Sequence, residues 1–331
     1  MKALKKIGGW LLSILLIVLL SSAAYVYYML PDVGPAPELN VEVTPERVRR
    51  GEYLANHVVV CMDCHSKRDF SKFSGPLAEG TLGEGGEKFS EEFGFPGKFF
   101  AKNITPAALS EWSDGDIYRT ITTGVSKNGR ALFPVMPYKY YGMMDPEDVK
   151  DIIAYLRSIP PITHSVPESE PNFPFNFIIN TIPQQVAVPG KKPDVSDRVA
   201  YGKYLIHIAG CVECHTPPDD KGKKLPGMEL AGGWEMSLGN NHIVTTANIT
   251  PDNETGIGKW TETDFVGRFK AYADSGYVVP SVNPGEFQTI MPWVMYSKME
   301  TEDLAAIYAY LRTVQPVRNA VVKFKEKPGS K

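Results

Sequence analysis

Cysteine is scarce in this 331-residue chain: four residues, too few for the disulfide framework of a small secreted scaffold. A surplus of one charge is also missing. Lys and Arg number 35 against 38 Asp and Glu, a net charge of −3, which gives no electrostatic footprint for nucleic acid. No Ser-His-Asp order and no paired-carboxylate signature stands out. Gly83-Glu-Gly-Gly86 has no Lys-Ser/Thr after it and no strand-to-helix setting, so it reads as a loop rather than a phosphate cradle. Long alternating strand patterns are absent as well, and the class expected is mainly α. Glycine and proline, in contrast, are plentiful at 29 and 27 residues, which predicts loop-rich domains with short helices. The length suits about two domains.

One long apolar run is present. Ile7 to Leu30 is 24 residues without a charge, and about 20 suffice to cross a bilayer. Lys2, Lys5 and Lys6 precede it, while Asp32 and Glu38 follow. The positive-inside rule then puts the N-terminus in the cytoplasm and the rest of the chain in the periplasm. A cleaved signal peptide is the rival, with Ser22-Ala23-Ala24 as its small residues. The run continues through Tyr25-Val-Tyr-Tyr-Met-Leu30, whose aromatics suit the outer interface, and this favours an uncleaved anchor.

Self-comparison reveals a duplication. Gly51-Glu-Tyr-Leu54 leads into Cys61-Met-Asp-Cys-His65, and Gly202-Lys-Tyr-Leu205 leads into Cys211-Val-Glu-Cys-His215. Leu77-Ala-Glu-Gly80 answers Leu230-Ala-Gly-Gly233. Asn103-Ile-Thr-Pro106 answers Asn248-Ile-Thr-Pro251, each with a tryptophan after it, Trp112 or Trp260. Met136-Pro137 answers Met291-Pro292, and Ala154-Tyr-Leu-Arg157 answers Ala309-Tyr-Leu-Arg312. The second copy carries about seven extra residues between its Trp and its Met-Pro, placed from Asp274 onward.

The organisation expected is a cytoplasmic tip and anchor over 1–31, a linker over 32–45, one domain over 46–162, a second linker over 163–195, a second domain over 196–318 and a basic tail over 319–331. Helices are predicted over 46–60 and 196–210, running into the cysteine motifs, and over 146–159 and 301–313. Phe173, Phe175 and Phe177 in the second linker are candidates for packing across both domains. The tail Lys323-Phe-Lys-Glu-Lys327 reads as a solvated terminus.

Cys-x-x-Cys-His in an exported chain is the attachment signature of c-type haem. Two thiols three residues apart on a helical turn can each bond a vinyl group of one porphyrin, and the adjacent histidine presents a nitrogen to the iron. Cys61, Cys64, Cys211 and Cys214 are all consumed in this way, with His65 and His215 as iron ligands and two covalently bound haem c groups as the expected cofactors. Zinc would want further Cys or His ligands, and only His57, His164, His207 and His242 remain. A thioredoxin-like pair does not explain a histidine in both copies.

The sixth ligands expected are Met136, 71 residues after His65, and Met291, 76 after His215. Met143, Met144, Met295 and Met299 compete, but only the Met-Pro positions correspond between copies. His57 and His207 each lie four residues before a motif and read as helix-surface histidines. Trp112 and Trp260 read either as porphyrin neighbours or as plain core.

These residues resemble the class I c-type cytochromes, and more narrowly the multihaem cytochrome subunits of membrane-bound alcohol, aldehyde and gluconate dehydrogenases. The likeness covers roughly 46–162 and 196–318 and rests on Asn-Ile-Thr-Pro before a Trp, the long Cys-to-Met interval, and Met-Pro followed by a helix ending in Ala-Tyr-Leu-Arg. It implies helices wrapped round each haem with His and Met as axial ligands. It also implies that Gly51 with Tyr53 and Tyr155, and Gly202 with Tyr204 and Tyr310, lie where the first and last helices of each domain cross. Those subunits commonly carry three haem domains where this chain has two.

The function expected is a membrane-anchored periplasmic dihaem electron carrier, non-catalytic itself. It would pass electrons from a dehydrogenase or quinol-linked donor to a terminal oxidase or soluble carrier. Membership of a larger oxidase complex and a dihaem peroxidase are the alternatives. A methionine at both sites argues against the peroxidase, whose reactive iron needs an open position.

Overall fold

The computed structural model describes residues 2–186, 188–220, 222–238 and 241–327. Met1 and the last four residues of the basic tail lie outside them. The chain opens with helix α1, Lys2–Met29, of which Lys5–Met29 is 25 residues with a mean hydropathy of 2.2, long and apolar enough to cross a membrane.

The body repeats one plan twice. In the first copy α2 (Pro45–Tyr53) leads to α3 (Cys61–Cys64), then α4 (Asp114–Thr123) and α5 (Pro146–Ser158). In the second, α6 (Arg198–Ile208) leads to α7 (Cys211–His215), α8 (Glu262–Lys270) and α9 (Thr301–Leu311). The signals that start these helices are local. Thr44 caps α2 with Pro45 behind it, and the Asp145 carboxylate accepts from Glu147 N at 2.9 Å to start α5. Capping boxes open α4 (Ser113 with Asp116) and α8 (Thr261 with Asp264).

The first helix of each copy does not run unbroken into its cysteines. After Tyr53 the backbone widens into a π-helical turn, Leu54–Val58, and both copies then pass through a left-handed residue just before the first cysteine. That residue is Gly210 (φ 68°) in the second copy and Val60 (φ 50°) in the first, a conformation that strains a β-branched side chain. The break frees the Cys-x-x-Cys turn to point away from the helix axis.

α2 packs on α5 and α6 on α9, and a glycine makes each crossing close. A Cβ on Gly51 would stand 1.9 Å from Asp151 O, and one on Gly202 would stand 1.9 Å from Ala306 O.

Among the described residues, two small antiparallel sheets of three short strands each accompany the helices of this mainly α fold. In one, β1 (Lys88–Phe89) pairs β2 (Gly97–Phe100), which pairs β3 (Glu170–Pro171). In the other, β4 (Glu235–Ser237) pairs β5 (His242–Thr245), which pairs β6 (Phe324–Glu326). The third strand of each sheet comes from a segment read in the sequence as linker or solvated tail. Within the tail, Phe324 stacks on His242 with centroids 4.9 Å apart. Phe175 joins Phe99 and Phe133 in a cluster under the first sheet, whereas Phe173 and Phe177 face outward beside α1, so the three do not pack across both copies.

The two copies share one continuous core, and they meet reciprocally. Tyr53 OH donates to Asp303 Oδ2 at 2.7 Å, and Tyr204 OH donates to Asp148 Oδ2 at 2.7 Å. Each tyrosine also accepts a backbone N–H from the opposite copy, Glu300 N to Tyr53 and Asp145 N to Tyr204. These tyrosines, expected at the crossing inside their own copy, reach instead into the other. The extra residues of the second copy add a one-sided contact. Phe73 N donates to Pro280 O and Val282 N to Ser71 O, both within 2.9 Å, while the Gln288 amide bonds Phe70 O, Lys72 O and Ser74 N.

Tyr53→Phe is expected to cost about 1.5–3 kcal/mol, because it removes a donor from a buried carboxylate. Tyr204→Phe should cost less, since Asp148 also holds Arg50 and Lys192. Denaturant midpoints of the two variants check both the direction and the ranking.

Candidate functional site

Both motif histidines are half-buried and held alike. His65 Nδ1 lies 2.7 Å from Lys102 O, and His215 Nδ1 lies 2.7 Å from Ala247 O. A ring nitrogen beside a carbonyl carries the proton, so Nε2 is left as the nitrogen able to bind a metal. Burial holds both imidazoles below the usual histidine pKa, in the neutral form that a ligand needs.

The sequence explains why that carbonyl is there. Lys102 and Ala247 each precede an Asn-Ile-Thr-Pro. The Asn103 carboxamide bridges Thr105 N (2.9 Å), Thr105 Oγ1 (2.8 Å) and Ile162 O (2.8 Å). Asn248 makes the same three bonds to Thr250 N, Thr250 Oγ1 and Val317 O, at 2.9, 2.7 and 2.7 Å. The motif is thus a clamp between the loop that orients the histidine and the chain leaving the last helix of the copy.

A second loop closes on the histidine from the other side. Gly85 N donates to His65 O at 2.9 Å and Gly232 N to His215 O at 2.7 Å. Gly83 N donates to Ser66 Oγ, and Leu230 N to Thr216 Oγ1. The structural counterpart of Leu230-Ala-Gly-Gly233 is therefore Gly83-Glu-Gly-Gly86 and not Leu77-Ala-Glu-Gly80, which corrects that pairing of the repeats. Gly85 and Gly232 both have positive φ, and a Cβ on either would fall within 2.7 Å of the backbone just before the asparagine. The Gly-Gly step begins 18 residues before Asn103 in the first copy and 16 before Asn248 in the second, a spacing readable in the sequence.

The four thiols are unpaired, and burial pushes Cys61 and Cys211 up to about 12 and Cys214 up to about 11. Free thiols held so far toward the protonated form are poor redox nucleophiles. Among the described residues, no group of three or more His, Cys, Asp and Glu is arranged to hold a metal ion. The donor set fits covalent haem: two half-buried thiols on one turn and one imidazole with Nε2 free.

The residues between the cysteines differ. Asp63 pairs with the buried Arg68 guanidinium at 3.0 Å, and Arg68 also donates to Ser74 O (2.6 Å) and Gly75 O (2.8 Å). Glu213 pairs with Lys224 at 3.2 Å.

Met136 and Met291 lie half-buried against the core, each opening a single helical turn, Tyr138–Tyr141 or Trp293–Tyr296. At the end of each turn a buried tyrosine reaches the segment leading into the cysteines, Tyr141 OH to Val59 O (3.4 Å) and Tyr296 OH to Ala209 O (2.5 Å). Met291 O also accepts from Ser74 Oγ of the other copy at 2.6 Å.

His57 and His207 occupy the seam between copies. The His207 ring lies 6.0 Å from that of Tyr140, tilted by 47°, and its Nδ1 faces Lys203 O at 2.6 Å. Burial holds His57 below the usual pKa, with Lys298 and Lys270 of the second copy adding to the effect. His57 is therefore neutral when folded and proton-hungry when unfolded. Its contribution to stability is present above about pH 6.5 and is lost as pH falls below that value. Between about pH 7.5 and about pH 5, the thermal midpoint should fall further for the native chain than for His57→Gln. Trp112 and Trp260 act through their backbones, accepting from Arg157 Nη2 and Tyr308 OH at 2.5 Å each.

Residues 199–315, within the second copy, match the cytochrome c family. Most of the chain is similar to a protein named as a dihaem cytochrome c and to cytochrome c subunits of dehydrogenases. It is 29% identical over 312 residues to a "Diheme cytochrome c-type" protein of Cereibacter sphaeroides, covering 92% of this chain and 97% of that one. It is 28% identical over 287 residues to the gluconate 2-dehydrogenase cytochrome c subunit of Pantoea cypripedii (81% of this chain, 59% of the relative). With the fructose dehydrogenase cytochrome subunit of Gluconobacter japonicus the identity is 27% over 285 residues (81% and 52%). The chain thus spans between about half and three fifths of these two dehydrogenase subunits.

Proposed function

We propose that this protein is a membrane-anchored dihaem cytochrome c that relays electrons in the periplasm. Two tandem haem domains, 46–162 and 196–318, would hang from α1, with the N-terminus in the cytoplasm. Cys61 and Cys64 would hold one haem c and Cys211 and Cys214 the other, with His65 and His215 as proximal ligands and Met136 and Met291 opposite them. The observation that carries the reading is the matched pair of half-buried histidines, each with Nδ1 fixed 2.7 Å from a carbonyl just ahead of an Asn-Ile-Thr-Pro.

Haem c, when bound, supplies a reversible one-electron iron couple. The chain's own residues partly bury both imidazoles and fix their tautomer. The shared core and the reciprocal Tyr–Asp bonds hold the two sites at a set separation. The relatives named as subunits of gluconate and fructose dehydrogenases support a sugar- or alcohol-oxidising dehydrogenase as the donor, with an oxidase or soluble carrier as the acceptor.

Intact mass of the purified protein should correspond to two covalent haems. Cys61→Ser with Cys64→Ser should remove one of them and leave the other. A native mass fitting one haem or none refutes the reading.

A further inference from the structure

The segment from Pro171 to Gly190 holds no charged residue, although it lies on the surface. Its inward residues have a clear role: Phe175 and Ile179 pack into the cluster under the first sheet. Its outward residues meet little of the described chain beyond the end of α1. Phe173 is 81% exposed, Ile178 48% and Phe177 36%. Exposed aromatic and aliphatic side chains grouped on one charge-free segment mark a contact surface, not a solvated loop.

The place of this surface in the fold says what covers it. The Tyr27 ring near the outer end of α1 lies 6.3 Å from the Phe177 ring, and Phe177 lies 6.4 Å from Phe173. α1 also rests against the turn Ile179–Thr181. On the anchor reading, which this inference requires, the last turn of α1 with Tyr25, Tyr27 and Tyr28 sits at the outer interface, where aromatic belts form. A ring 6.3 Å from Tyr27 cannot be far from that depth, because interfacial segments bury about 5–10 Å into the headgroup boundary.

We propose that Phe173, Phe177 and Ile178 insert into the outer-leaflet interface of the same bilayer that holds α1. The first copy then lies on the membrane by two points, the helix and this apolar edge, while the second copy stands away from it. A single helix would leave the body free to swivel. A second contact fixes which face of the protein meets the lipid.

The test uses the full-length haem-loaded protein in lipid nanodiscs. Nitroxide labels are placed by Phe173→Cys, with Tyr28→Cys as the anchor reference and Val278→Cys, 84% exposed on the second copy, as the aqueous reference. The unsubstituted protein sets the labelling background. Collision rates with lipid-soluble oxygen and with a water-soluble nickel chelate report depth. The expected result is that Phe173→Cys, like Tyr28→Cys, favours oxygen, while Val278→Cys favours the chelate. Ile178→Cys should repeat the result if the first variant folds poorly. A label at 173 that behaves like the one at 278, with the label at 28 still lipid-like, overturns the proposal and leaves the anchor standing. Such a result would leave the edge free to dock a partner protein. A water-exposed label at 28 defeats the anchor reading, and the inference with it.

Discussion

Met291→Ala, and separately Met136→Ala, should each open one of the two irons to carbon monoxide and lower its potential, while the other haem keeps its properties. The shift should lie within the roughly 0.8 V range that axial ligands span. The competing methionines all have other roles. Met144 and Met299 are core residues, each 1% exposed, and Met143 lies outward. Met295 is buried beside the His57 seam. Met136 and Met291 alone stand at matching half-buried positions. In both copies the second residue after the methionine donates its N–H back to the methionine carbonyl at 2.8 Å, and the turn that follows is tied to the chain entering the cysteine motif. Carbon monoxide difference spectra recorded during a potentiometric titration decide the matter. An unaltered spectrum and potential in either variant would sink that ligand assignment.

Gly51→Ala and Gly202→Ala should each destabilise the protein by about 3 kcal/mol, the upper end of the cost of overpacking. The clash is with backbone. A Cβ on Gly51 meets Asp151 O at 1.9 Å, its carbonyl carbon at 2.5 Å and Tyr155 Cβ at 2.8 Å. On Gly202 it meets Ala306 O at 1.9 Å and the carbonyl carbon at 2.4 Å. No rotamer relieves such a contact, so the helices must separate, and the turns that carry the cysteines are attached to them. Gly267→Ala provides the contrast. It is the same chemical change in an exposed stretch of α8 with nothing within 4 Å, and it should stabilise by about 0.5–1 kcal/mol. Denaturant unfolding of the three variants measures both signs, and a neutral Gly51→Ala would mean that the crossing is looser than this packing.

Much of the proposed site is legible in the residues because its chemistry is local. Cys-x-x-Cys-His, Asn-Ile-Thr-Pro and Met-Pro keep their meaning within a few residues, and duplication marked each of them twice. The pieces that escaped are those set by distant chain. Strands of two to four residues, such as Lys88–Phe89, are too short to show alternation, and their partners Glu170–Pro171 and Phe324–Glu326 come from far along the sequence. Gly83-Glu-Gly-Gly86 was recognisable as a loop, but its grip on His65 depends on backbone bonds that carry no side-chain signal. Tyr53 and Tyr204 were assigned to the right kind of place and to the wrong copy, because nothing in either repeat says which of two near-identical helices will receive the hydroxyl.

That last ambiguity has a lesson in symmetry. Tyr53 bonding Asp303 while Tyr204 bonds Asp148 is the contact rule of an isologous pair, in which one patch meets its own equivalent. A one-copy ancestor carrying that tyrosine and that aspartate could have made both bonds by pairing with itself, before any gene fusion joined the two halves. The two halves nevertheless differ: the loop from Asp274 occurs on one side only, and the carboxylate between the cysteines pairs with Arg68 in one copy and with Lys224 in the other. An approximately two-fold arrangement therefore presents unlike surroundings at its two ends.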